Sequence, residues 1–105
     1  MLRIYPVVLE TIEALRAITA QIERRDRDLG RQLRRAASSV ALNVAEGMYS
    51  RGQRRQARYH TALGSARETL ACLETARAWG YVAAIDPALL AKVDRIIGTF
   101  VHLAA

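Results

Sequence analysis

A chain of 105 residues is long enough to bury one core and too short for two, so a single domain over residues 1–105 is expected. It is 51% hydrophobic but only 6% aromatic, and Ala, Leu, Arg and Glu dominate, which favours helix packed on helix over a sheet. The charge of +6 comes with one cysteine, Cys72, and two distant histidines, which excludes an internal disulfide and a zinc site of the usual four ligands. There is no run of roughly eighteen apolar residues for a membrane span, and MLRIYPVVLE lacks the layout of a signal peptide, so a soluble cytoplasmic protein is expected.

In chain order, Pro6 suits a first helical turn, and Val8, Ile12, Leu15 and Ile22 share one face up to Arg25, which predicts a first helix over about 6–25. RDRDLG breaks the pattern, with Asp26 or Asp28 able to cap a second helix over about 29–46. Leu29, Leu33, Ala36, Val40 and Val44 form its apolar stripe, and Gly47 is placed as its stop. After the link MYSRGQ, a third helix over about 53–79 carries Tyr59, Leu63, Ala66, Leu70 and Leu73 on one face and ends at Gly80. Gly64, inside it, costs about 1 kcal/mol relative to Ala and is expected to mark a close helix crossing. Asp86-Pro87 opens a fourth helix over about 87–103, with Leu89, Val93, Ile96, Ile97, Phe100 and Leu103. Four amphipathic helices with short links predict an all-α, antiparallel up-down-up-down four-helix bundle.

One flank of the second helix is polar: Arg35, Ser39, Asn43 and Glu46 recur at spacings of four, four and three. They lie about a third of a turn from the apolar centre at Val40, with Leu42 farther round, nearly opposite it. The third helix offers Ser65 and Glu68 just after Gly64. The stripe reads first as a polar network or interface drawn from Arg35, Asn43, Glu46, Ser65 and Glu68, satisfied in one register only. A solvated face and a chemical site are the other readings.

For an enzyme the needed constellation is missing from the sequence. A di-iron bundle requires Glu-x-x-His motifs, and neither His60 nor His102 has Glu three residues before it. Nothing in the spacing joins Cys72 to a histidine as nucleophile and base. No catalytic, metal or cofactor residues are assigned, and a non-enzymatic protein is expected.

The charge is unevenly placed. Both ends of the chain balance, and the excess lies in 29–81, where Arg31, Arg34, Arg35, Arg51, Arg54, Arg55, Arg58, Arg67 and Arg77 face Glu46, Glu68 and Glu74. Cations at helix starts oppose the macrodipole, so local stability does not explain them. They suit phosphate: Arg51, Arg54, Arg55 and Arg58 as one set of nucleic-acid contacts, Arg31 and Arg34 as a second. Tyr49 and Tyr59 flank the first set, although Tyr59 falls on the apolar face. With no recognised nucleic-acid-binding motif, binding is expected to be phosphate-led. The alternative is that Arg content reflects genome composition.

The stretches LGRQLRRAASSVALNVAEG and ALGSARETLACLETARAWGY resemble the 23S rRNA intervening-sequence proteins and their relatives, the accessory variability determinant proteins of diversity-generating retroelements. The resemblance covers about 29–82 and rests on Leu29, Gln32, Leu33, Arg35, Ala36, Ser39, Asn43, Ala45, Glu46 and Gly47, then Gly64, Ser65 and Glu68. It implies a four-helix bundle assembled as a homo-oligomeric ring, most often a homopentamer. For the retroelement branch it implies a basic ring that binds a reverse transcriptase and nucleic acid as an accessory factor; for the other branch it implies no settled activity. The rival expectation is a pure protein–protein assembly or adaptor module with no nucleic-acid role.

Overall fold

A computed structural model describes residues 2–105; Met1, the first residue of the expected domain, lies outside the described residues. Four helices, α1 (Ile4–Arg25), α2 (Arg27–Met48), α3 (Gly52–Ala78) and α4 (Pro87–Leu103), account for nearly all of it. No strand occurs among the described residues. α2 packs against α1 and α3, and α4 against the same two, making a four-helix bundle.

The helix boundaries follow from a few capping groups. A single residue, Asp26, separates α1 from α2. Its extended backbone sends its N–H to the Ile22 carbonyl (2.7 Å), and its Oδ1 accepts from Leu29 N (3.0 Å), ending one helix and capping the next. Since Asp26 is the cap, and not Asp28, α2 begins at Arg27, two residues before the expected start. α3 closes where Gly80, at φ 78°, lets its N–H reach the Arg77 carbonyl and that of Tyr81 the Ala76 carbonyl, each at 2.9 Å. Asp86 caps α4 through Ala88 N (2.9 Å), with Pro87 in the first turn.

Two glycine expectations are corrected. Gly47 does not stop α2, which continues to Met48; it is buried, and a Cβ there would sit 2.7 Å from Tyr59 Cδ1. Gly64 marks no crossing within the subunit, for it is exposed and a Cβ on it would meet nothing within 4 Å. The close approaches fall at Gly47 against α3 and at buried Gly30, where a Cβ would lie 3.0 Å from Glu23 Cα of α1.

The core has two halves. Val8, Val44, Tyr59, Leu63, Ile96 and Phe100 belong to one, and Leu15, Ile22, Leu33, Leu73, Val82 and Val93 to the other. Ile12 and Ile97 pack against both. A cavity of about 10 Å³ lies between them, with Val8, Leu15, Thr11 and Thr69 in its wall. These two threonines return their hydroxyls to their own helices, at Val7 O (2.7 Å) and Ser65 O (2.9 Å), so neither leaves an unmet donor. No helix is long and apolar enough to cross a membrane among the described residues.

Candidate functional site

The polar flank of α2 meets α3 from Ser39 to Glu46. Ser39 Oγ and Ser65 Oγ lie 2.7 Å apart. Asn43 Nδ2 donates to Ser39 O (2.9 Å) and Ser39 Oγ (3.1 Å). The far side of the Asn43 amide accepts from Arg58 at 3.5 Å, and Arg58 closes the series on Glu46 Oε2 at 2.8 Å. The clasp therefore grades from half-buried serines to an ion pair whose side chains are 50% and 55% exposed. The hydroxyl contact, with Ser39 oriented by Asn43 of its own helix, ties α2 to α3; the ion pair contributes no more than about 1 kcal/mol. Arg35 and Glu68 stand exposed, with no hydrogen bond or ion pair among the described residues, and Leu42 is 63% exposed.

Arg58 belongs to this clasp as well as to the basic set. It precedes Ser65 by seven residues, two helical turns, and so shares its face. That spacing was the available signal.

Beyond the clasp, the end of α2 and the start of α3 form an arginine-rich end of the bundle. Arg51, Arg54, Arg55 and Arg58 are all exposed there. Arg55 Nε donates to the Gly47 (3.2 Å) and Ser50 (2.9 Å) carbonyls, putting a cation on the open C-terminal turn of α2, where the macrodipole favours it. Arg51 and Arg54 have no side-chain partner among the described residues, and no side chain caps the N-terminus of α3 beside them. Tyr49 is 89% exposed, whereas Tyr59 is buried against Phe100, ring centroids 5.3 Å apart. Burial pushes the Tyr59 hydroxyl above its ordinary pKa of 10.0, with Arg55 pulling the other way.

The second basic set lies at the far end of α2, about 30 Å away for a helix of this length. Arg34 donates through Nε to Glu23 Oε1 (3.1 Å) and pairs with it through its terminal nitrogen as well; Arg31 is exposed without a partner among the described residues. Cys72 is buried in the core half away from Tyr59 and Phe100, and burial, then Glu68, pushes its thiol pKa up. His60 and His102 are both exposed. Among the described residues no three His, Cys, Asp or Glu side chains gather as a metal site.

A four-helix bundle with a polar clasp between its second and third helices, and arginines massed where those helices join, defines the class of this molecule. The model of the 23S rRNA-intervening sequence protein family matches residues 2–99, and the chain belongs to that family. The match takes in α1 and most of α4, beyond the 29–82 segment that carries the visible resemblance. Searches of curated proteins and of solved structures each returned no match.

Proposed function

We propose that this protein is a non-enzymatic, cytoplasmic, up-down-up-down bundle that assembles as a homo-oligomeric ring and binds nucleic acid through phosphates at its α2–α3 end. The carrying observation is that Arg51 and Arg54 project unpaired, among the described residues, beside an exposed Tyr49, while Glu46 nearby is already matched by Arg58. Free guanidinium groups grip phosphate, and an exposed ring adds base stacking without sequence preference. Ring assembly finds support in α3, where Ala57, Thr61, Gly64, Ala71, Thr75 and Ala78 are exposed in line, interrupted only by Glu68, at alternating spacings of four and three. A neighbouring helix can approach such a seam closely, and exposed Leu42 on α2 adds apolar area beside it. A closed ring then repeats the arginine cluster around one rim and multiplies its field.

The test is a gel-retardation series over rising salt, with native mass measured alongside. Because Arg55 also closes α2, the informative variant is Arg51→Glu with Arg54→Glu. Wild type is expected to retard RNA or DNA with an affinity that falls as salt rises; the variant is expected to lose binding at unchanged oligomer mass. No retardation by wild type at low salt, or equal retardation by the variant, refutes the reading. The rival, a protein–protein adaptor with no nucleic-acid role, draws on the same exposed seam and Leu42. A reverse transcriptase gene beside this one would favour the retroelement form of the proposal, with that enzyme as partner.

A further inference from the structure

The chain's one tryptophan stands at the opposite end of α3 from Arg51 and Arg54. Trp79 is the residue that closes α3, and left-handed Gly80 folds the chain back so that Tyr81 comes to lie beside it. The two rings stack, centroids 6.4 Å apart and planes 17° from parallel. Tyr81 is the anchored member. Its hydroxyl donates to Asp26 Oδ2 (3.2 Å), its carbonyl accepts from Gln21 (3.4 Å), and the Arg25 guanidinium lies 5.6 Å from its ring centroid. The column thus runs from guanidinium to phenol to indole, fastened to the α1–α2 joint and open at Trp79, which is 69% exposed.

An exposed indole fits either an apolar protein surface or a single flat ring. A protein contact requires a contiguous apolar patch. The other large apolar residues exposed among the described residues are Leu9, Leu42, Tyr49 and Val101, none of them on the α3–α4 connection or at the α1–α2 joint. What accompanies the aromatic pair is cationic: Arg25 against Tyr81, with Arg24 and Arg27 beside it at the joint, all exposed. Of the acids at this end, Asp26 uses one oxygen on Leu29 N and the other on Tyr81, and Glu23 is paired with Arg34. Asp86 spends Oδ1 on Ala88 N, and Glu74, Asp28 and Asp86 are the three exposed acids.

We propose that Trp79 is a stacking platform for a base of single-stranded nucleic acid, with Arg25 meeting the phosphates beside it. The proposal rests on the nucleic-acid reading above and adds a second contact point, so that one strand follows the 42 Å length of the subunit from the arginine end to the indole. Stacking on an aromatic ring tolerates any base, in keeping with phosphate-led binding.

As the sole tryptophan, Trp79 reports on its own occupancy. An oligothymidylate long enough to span the subunit is titrated while emission and the anisotropy of a labelled strand are followed together; an abasic strand of equal length supplies the phosphates alone. Thymidylate is expected to quench Trp79 and the abasic strand to leave it bright. Trp79→Ala is expected to weaken thymidylate binding roughly 5- to 150-fold with little change in salt slope, and Trp79→Phe to retain much of it. Binding by anisotropy with unmoved emission and an unweakened Trp79→Ala overturns the platform while leaving the arginine-end reading intact. Weakening by Trp79→Ala but not by Arg51→Glu with Arg54→Glu does the reverse. A change of oligomer mass in Trp79→Ala assigns the indole to subunit contact and overturns the proposal, and wild type that binds no strand at low salt overturns both.

Discussion

Replacing Gly47 with Ala sets two effects of opposite sign against each other. In a helix interior the change gains about 1 kcal/mol of propensity. Here, however, the new methyl would sit 2.7 Å from Tyr59 Cδ1 and 3.1 Å from its Cζ. The Tyr59 ring has nowhere to retreat: it is 4% exposed and leans at 55° on Phe100, which is fully buried. Overpacking of this kind costs typically 1–3 kcal/mol, and with one core half recruited to relax it the upper part of that range applies. The balance is a loss of about 1–2 kcal/mol, or roughly 5–15 °C in Tm for a domain of this size. Gly98→Ala is the internal control, since Gly98 is also helical, is exposed, and would bring its methyl against nothing within 4 Å; it is expected to raise Tm by several degrees. Thermal unfolding followed by circular dichroism reads both. Gly47→Ala melting at or above wild type, with Gly98→Ala stabilised as expected, would refute the assignment of Gly47 to close packing.

Two further outcomes follow from single side chains. Asp26→Ala removes a helix cap and the acceptor that holds Tyr81, so it is expected to lower stability by about 0.5–2 kcal/mol and to alter Trp79 emission, while Asp26→Asn keeps the cap; unfolding midpoints and fluorescence check both. The raised pKa of Tyr59 means that the fold favours its neutral form. Its contribution is therefore complete below the ordinary value of 10.0 and is lost as pH rises through the higher folded-state value. Urea midpoints measured across that alkaline window should fall more steeply for wild type than for Tyr59→Phe, and parallel curves would contradict this.

The helices were legible because their signals agree with one another. Apolar residues at helical spacing coincide with Asp26, Gly80 and Asp86-Pro87 as boundaries, and α4 runs over 87–103 as expected. Glycine was where legibility failed. A glycine after an apolar run stops a helix in one setting and admits a neighbouring ring in another, and what distinguishes them at Gly47 is Tyr59, twelve residues away on a different helix. Gly64 failed in the opposite sense, since sequence shows that a close approach is possible without showing whether the partner lies in the same chain. In the polar flank, Ser39, Asn43, Glu46 and Ser65 were visible through spacing, and the structure joins them into the clasp. The arginines were harder. Charge clustering marks where they gather, but whether each one faces solvent, Glu46 or a helix-end carbonyl is decided by contacts across the α2–α3 turn, and this separates Arg51 and Arg54 from Arg55 and Arg58.

The joint at Asp26 also shapes how the chain reaches its fold. Two helices of 22 residues meet across one connecting residue, so bringing their faces together closes almost no loop and forfeits little chain entropy. Gly30 lets the backbones draw near beside that hinge, within the first turn of contact. Joining the two helices this way costs little, and since most contacts in the fold link residues near one another in sequence, the topology is of the kind that folds quickly.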